Sequence, residues 1–267
     1  MGSEMCIRDR DNIKGVKVRL KDGELYGDCI ILADGVNSLL AKKLGLHEEL
    51  PRDKTAIAVK EVLSLSEDEI NRRFGLNEKE GSAYEYFGYA CKGAIGSGFI
   101  YTNKDTISIG VGATISSLIE KKLNPNDVLE FFKDHPVIAP LIKDAEQKEY
   151  SAHLIPEGGY KKLSKLYRDN ILVVGDAAGF VNTSLFHEGT NLAMVTGKLA
   201  GETVIYAKEK NDFSEKTLSI YKEKLNSSFA MKDLKQFKKV PDALEKNKKI
   251  FDTYPPVSYT HLTLPTN

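Results

Sequence analysis

A chain of 267 residues, 41% of them hydrophobic, can bury one large core or two ordinary ones. Lys plus Arg and Asp plus Glu balance at 38 each, so global charge offers no basis for binding nucleic acid or an anionic membrane. Cys6, Cys29 and Cys91 lack the paired spacing of a metal centre, an iron–sulfur cluster or a disulfide framework. No apolar run is long enough to span a bilayer and the start lacks a signal-peptide core, which makes the cytoplasm the expected compartment.

The two ends read as foreign to the rest. Met5-Cys6-Ile7-Arg8-Asp9-Arg10 can be encoded by DNA whose reverse complement encodes Val257-Ser258-Tyr259-Thr260-His261. One tag in opposite orientations at both ends, similar to the transposon adapters of sequencing libraries, explains this. Residues 1–10 and 257–267 are therefore set aside as adapter scars. The remainder is expected to be an internal or carboxy-terminal piece of a longer protein.

Val16 to Leu20 and Glu24 to Leu32 read as two strands around the turn Lys21-Asp22-Gly23. The second strand delivers Ala33-Asp34-Gly35 to a turn, and a helix with Leu39, Leu40 and Leu44 follows, stopped by Gly45. Thr55 to Leu63 is a further strand, and Ser66-Glu67-Asp68-Glu69 has the spacing of a capping box for a helix ending at Phe74. Ala83 to Tyr89, Ala94 to Thr102 and Thr106 to Thr114 form an antiparallel sheet with a hairpin turn at Asn103-Lys104-Asp105. Gly93, Gly96, Gly98, Gly110 and Gly112 do not form a dinucleotide fingerprint, since neither a helix nor a suitably spaced acid follows. They suit close packing or bulges in a curved sheet, or a bare backbone under a flat aromatic ligand.

Helices broken at Pro136 and Pro140 occupy Asn124 to Lys143, and Tyr150 to Ile155 is a strand. Pro156-Glu157-Gly158-Gly159-Tyr160 gives a rigid entry and an uncovered backbone. Four apolar residues, Ile171 to Val174, then deliver Gly175-Asp176-Ala177-Ala178-Gly179 as a buried parallel strand delivers a carboxylate to a sheet edge. Gly189-Thr190-Asn191 opens a helix running to about Lys208, whose first N–H groups are free to face an anion or a carbonyl. Ser214 caps a helix carrying Leu218, Tyr221 and Leu225. The basic stretch from Lys232 to Lys249 reads as a solvated helical face, or as a docking surface for an acidic protein.

Ala33-Asp34-Gly35-Val36-Asn37-Ser38 and Val174-Gly175-Asp176-Ala177-Ala178-Gly179, in that order, resemble flavin-dependent oxidoreductases of the geranylgeranyl reductase and electron-transfer-flavoprotein:quinone oxidoreductase superfamily. Tyr150-Ser151-Ala152-His153-Leu154-Ile155-Pro156-Glu157-Gly158-Gly159-Tyr160 and Glu188-Gly189-Thr190-Asn191-Leu192-Ala193-Met194 are similar to its FixC-type members. The resemblance implies an α/β (α+β) fold: a Rossmann-type FAD-binding domain interrupted by an antiparallel substrate domain, with helices at the carboxy end. Its segments would be 11–54 and 156–210 for the FAD-binding domain, 55–155 for the substrate domain and 211–256 for the terminal helices.

By the same resemblance, Asp176 accepts hydrogen bonds from the ribityl chain of FAD, the backbone near Ala178 and Gly179 approaches the pyrophosphate, and Gly175 belongs to the same cofactor-binding set. Gly189, Thr190 and Asn191 turn helix N–H groups toward the pyrimidine side of the flavin. Asp34 and Gly35 lie nearer the nucleotide, and Pro156, Glu157, Gly158 and Gly159 border the flavin face. The family's first βαβ unit, with its Gly-rich loop, is missing from this sequence. No metal is implied, and no catalytic residue is nominated; His187 and His153 are expected to be structural.

The expected activity of the intact protein is electron transfer from an electron-transfer flavoprotein to a quinone or a ferredoxin-like acceptor, with the flavin doing the chemistry. Peripheral contact with the inner face of the membrane is a further expectation. Reduction of a prenyl lipid is the second reading and a non-catalytic flavoprotein remnant the third.

Overall fold

The computed structural model describes residues 16–20, 23–184 and 187–252, and the backbone of 257–264. Two compact units divide the chain: 1–50 with 156–241, and 51–155 with 242–267.

In the first unit, β1 (Val16–Leu20) and β2 (Gly23–Gly27) pair as an antiparallel hairpin, with Val18 opposite Leu25. The strand predicted from Glu24 to Leu32 does not run through. It breaks at Asp28 and Cys29, and its last three residues leave the hairpin as β3 (Ile30–Leu32). The cause lies far away in sequence. Asn170, held at φ 62°, donates its side-chain amide to the Asp28 carbonyl at 2.6 Å, and its own carbonyl accepts the Ile30 N–H at 2.9 Å. This steers β3 parallel to β10 (Ile171–Val173), with β9 (Tyr167–Arg168) antiparallel on the other side of β10.

Helix α1 is shorter than its leucine spacing predicts, Leu39–Lys43. The longest helix is α6 (Thr190–Glu209), whose buried stripe Leu192, Thr196, Ala200, Thr203 and Ala207 recurs every three or four residues. Short side chains along that stripe let it join the core formed around Leu172 and Val173. Ser214 accepts the Thr217 N–H and caps α7 (Glu215–Leu218), as expected from the sequence. From α8 (Ile220–Ser227), fully buried Tyr221 donates its hydroxyl to the Val173 carbonyl at 3.1 Å, and burial raises its phenol above the ordinary range. Helix α9 (Phe229–Gln236) adds Ala230, Met231 and Leu234 to the same core.

The second unit is built on an antiparallel sheet. Its strands are β4 (Thr55–Ser64), β5 (Gly81–Gly88), β6 (Gly96–Thr102), β7 (Thr106–Thr114), β8 (Glu146–Pro156) and β11 (Val257–Leu264), in the order β11-β5-β6-β7-β4-β8. The hairpin at 103–105 is closed by the Asn103 N–H on the Thr106 carbonyl at 2.8 Å. Val257–Leu264, the stretch that codon complementarity sets aside, pairs antiparallel with β5. An uncovered strand edge is a template for any extended backbone within reach.

One face of this sheet is covered by α2 (Glu67–Phe74), α3 (Ile115–Lys121) and α4 (Pro125–Lys133), which bring Ile70, Phe74, Leu118, Val128, Leu129 and Phe132 onto Val59, Leu63, Ile100, Ile107 and Ile109. Short helices α5 (Ala139–Ile142), α10 (Val240–Lys246) and α11 (Lys249–Asp252) complete the described chain. The capping box is only half realised. Ser66 accepts the Glu69 N–H, but the Glu69 carboxylate turns to Arg72 and Arg73. On the helix-covered face Lys133 lies 2.9 Å from buried Glu61 and 2.9 Å from Glu130. Burial alone would lower Lys133, and bonds to Glu130 and Glu61 outweigh it to leave the ammonium raised.

The glycines of the sheet serve packing. A Cβ on Gly98 would stand 2.6 Å from the Phe132 ring, and one on Gly110 would stand 2.4 Å from the Phe99 ring. The flat aromatic over Gly110 is thus the protein's own Phe99, stacked on Tyr101 at 6.1 Å. Cys91 is enclosed beside this strand crossing, its thiol 3.5 Å from the Ser97 carbonyl and pushed up to about 12 by burial. Iodoacetamide at pH 8, far below that value, is expected to leave native Cys91 unmodified and to label it after denaturation. Modification of native Cys91 at the rate of a free thiol would contradict this packing.

Candidate functional site

Because β3 and β10 run parallel and side by side, they deliver their loops to one end of the sheet. The pairing continues past the strands, with the Val174 N–H on the Leu32 carbonyl at 3.0 Å, so Asp34-Gly35 and Gly175-Asp176 emerge together. In an open α/β sheet this carboxyl end is where ligands bind. The two loops are joined directly. Buried Ser38 donates its hydroxyl to the Ala177 carbonyl at 3.1 Å and to the Gly35 carbonyl at 3.1 Å.

Gly175 must be glycine. Its φ is +56°, and a Cβ there would stand 3.2 Å from the Ala193 Cβ on α6. Its N–H is held by the Thr196 hydroxyl at 3.0 Å, which in turn donates to the Ala193 carbonyl at 2.9 Å. Gly179, at φ +81°, lies against the backbone of Lys162 and Leu163, and the Ser164 N–H reaches the Ala178 carbonyl at 3.1 Å. Within this tightly held turn one side chain differs. Residues 171–175 and 177–184 are buried, while Asp176 is only half-buried. Its Oδ1 would lie 4.0 Å from a Cβ on Gly189, which places the carboxylate beside the start of α6.

That helix start has no side-chain cap, because the capping residue is Gly189. Thr190 and Asn191 are in the first turn, so their N–H groups belong to the positive end of a 20-residue helix. The loop leading to it is braced by Asn182, whose N–H donates to the Glu188 carbonyl at 2.7 Å. Gly159, at φ +52°, sits on the same loop, where a Cβ would meet the Thr183 hydroxyl at 3.2 Å. Pro156 is buried, and Glu157 and Gly158 are half-buried on this side.

All the residues expected to bind flavin lie in the first unit, where Asp34-Gly35 emerges beside Gly175-Asp176 and Asp176 stands beside Gly189. Asp34 also braces its own loop, since its carboxylate accepts the Leu40 N–H at 3.0 Å and anchors the first turn of α1. His187, at φ +41°, lies within the loop that the Asn182–Glu188 bond braces, and His153 is exposed on β8 in the second unit. Two residues that sequence reasoning left unassigned, Ser38 and Thr196, fix the loops. Ser38 directly precedes α1, a position where hydroxyls commonly bond backbone; Thr196 has no such local signal. A cavity of about 440 Å³ opens between 45–50 and 161–165 and is lined by none of the predicted flavin residues. His47 lines it, with its Nε2 buried and without a hydrogen-bond partner. Among the described residues no group of acidic, His or Cys side chains could hold a metal, and no helix is long and apolar enough to cross a membrane.

No family model matches the chain. It is 43% identical over 244 residues to the protein FixC of Azotobacter vinelandii, covering 91% of the chain and 56% of that protein. It is 40% identical over 253 residues to a probable electron transfer flavoprotein-quinone oxidoreductase of Escherichia coli K12, covering 94% of the chain and 58% of that protein. The chain thus spans a little over half the length of the curated relatives it matches. Among solved structures, a geranylgeranyl bacteriochlorophyll reductase-like protein from Thermoplasma acidophilum superposes with a TM-score of 0.66 at 18% identity, covering 92% of this chain and 59% of that one. A halogenase solved with phloroglucinol and FAD gives 0.59 at 14% identity, covering 93% and 49%. The fold is that of these flavoenzymes, and over nearly its whole length the chain is homologous to proteins named FixC and electron transfer flavoprotein-quinone oxidoreductase.

Proposed function

We propose that the full-length protein is a FAD-dependent oxidoreductase that takes electrons from an electron-transfer flavoprotein and passes them to a quinone or a ferredoxin-like acceptor. The observation that carries this reading is the joint emergence of Asp34-Gly35 and Gly175-Asp176 beside an uncapped helix start, in a chain whose relatives bear that name. The residues fit the cofactor. Asp176 offers acceptor oxygens to hydroxyls of a ribityl chain, and Gly175, Ala178 and Gly179 let backbone approach a pyrophosphate. Gly189, Thr190 and Asn191 turn helix N–H groups toward a ring that gains negative charge on reduction. Pro156, Glu157, Gly158 and Gly159 form a wall with little side chain to hinder a flat face, and Asp34 holds α1 in place. FAD, when bound, accepts and releases the electrons; the protein holds it and excludes water.

Prenyl-lipid reduction is disfavoured by the sheet of the second unit. On the face opposite its helices, Ser97 donates to Glu85 at 3.0 Å and the stacked rings of Phe99 and Tyr101 follow on the same strand, a polar and aromatic lining unlike an aliphatic tunnel. The test is anaerobic: FAD-loaded full-length protein is mixed with a reduced electron-transfer flavoprotein and a short-chain ubiquinone or a ferredoxin. Oxidation of the donor that requires both the protein and an acceptor is expected. Consumption of a geranylgeranyl lipid instead would overturn the reading.

A further inference from the structure

The first unit carries a charged surface that the flavin site does not use. Residues 158–165 read Gly-Gly-Tyr-Lys-Lys-Leu-Ser-Lys and residues 229–239 read Phe-Ala-Met-Lys-Asp-Leu-Lys-Gln-Phe-Lys-Lys. Together they hold seven lysines and one carboxylate, Asp233, in a chain whose formal charges cancel. They form one surface, because α9 packs on the turn at 159–162 and Lys235 lies over the Tyr160 ring, 5.9 Å from its centroid.

Most of this charge is uncompensated. Lys165 is paired with Glu215 at 2.9 Å, and Lys235 donates to the Asn226 side chain at 3.1 Å. Lys162, Lys232, Lys238 and Lys239 are exposed and make no ion pair among the described residues. Some surface lysines elsewhere are matched, as in Lys54 with Asp53 and Glu245, or Lys248 with Glu120, and what sets this surface apart is the number of lysines gathered on two packed elements. Like charges gathered without counter-ions repel one another, and such a field attracts an oppositely charged body from solution. The patch also has a definite place. It continues directly from Gly158-Gly159, the turn assigned to the flavin face, and electron exchange between two proteins falls steeply with distance.

We propose that the lysine surface of α9 and the 159–165 turn is the docking site for an acidic electron-carrier protein. This rests on the electron-transfer reading above and adds to it where the carrier binds. Steering of this kind raises association rates by roughly 10- to 1,000-fold at low ionic strength and fades as salt rises.

The experiment uses FAD-loaded full-length protein, wild type and Lys232→Glu/Lys238→Glu/Lys239→Glu, with a purified electron-transfer flavoprotein of net negative charge. Stopped-flow rates are followed against salt, and reduction by dithionite serves as the control for an intact flavin site. Charge reversal is expected to slow exchange with the carrier at least about 10-fold at low salt and flatten the salt dependence, leaving dithionite reduction unchanged. Equal rates and equal salt slopes in both proteins overturn the docking site. So does a variant that loses only its binding to phosphatidylglycerol-containing vesicles, which would make the patch a lipid contact. Failure of the wild type to exchange electrons at any salt would instead sink the electron-transfer reading itself.

Discussion

Asp176→Ala in the full-length protein is expected to lower FAD retention by about 10- to 100-fold, the loss of a charged acceptor worth about 1.5 to 3 kcal/mol. The fold should survive, because Asp176 is the half-buried member of an otherwise buried turn and its neighbours are held by other groups. Gly175 is fixed by Thr196, and Ala177 by Ser38. Flavin content after gel filtration, compared at matched thermal stability, reads the effect. Asp176→Asn, which keeps one acceptor oxygen, should fall between wild type and Ala. Unchanged flavin content in both variants would show that the carboxylate does not face the cofactor.

A second large effect is expected in the other unit. Gly96→Ala should destabilise it by about 3 kcal/mol or more, the range of severe core overpacking. A Cβ at position 96 would stand 2.1 Å from the Gly112 carbonyl oxygen and 2.8 Å from the Ala113 Cα. Both obstacles are backbone in the ladder that pairs Gly96 with Ala113 and Ser97 with Gly112, so neither can move aside as a side chain would. Gly81→Ala is the control in the same sheet, because its Cβ would meet only the Thr102 hydroxyl at 3.7 Å. Thermal unfolding should separate the two variants clearly. Equal midpoints would mean that the β6–β7 crossing is looser than described.

Local rules made much of this legible. Asn103-Lys104-Asp105 closes its hairpin, Ser214 caps its helix, and four apolar residues before Gly175 mark the buried strand, because each signal depends on neighbours in sequence. The glycines of the second sheet were readable as packing residues, although not which rings they would meet. What escaped was long-range. The break between β2 and β3 is made by Asn170, some 140 residues on, and the half-formed capping box by Arg72 and Arg73 competing for Glu69. The same holds at the site. Asp34 and Asp176 could both be nominated as strand-end carboxylates, but a linear pattern cannot show that one is engaged by the Leu40 N–H while the other stands beside the start of α6. Nor could it show that Ser38 ties the two loops together, since the Ala177 carbonyl lies 139 residues away.

These loops are expected to hold FAD in the full-length protein. The most direct measurement is the absorption spectrum of purified full-length protein after incubation with FAD and gel filtration, with the released cofactor identified after denaturation. A stoichiometric protein-bound flavin spectrum, with FAD recovered, is the expected result. A folded full-length protein that elutes colourless would contradict the account.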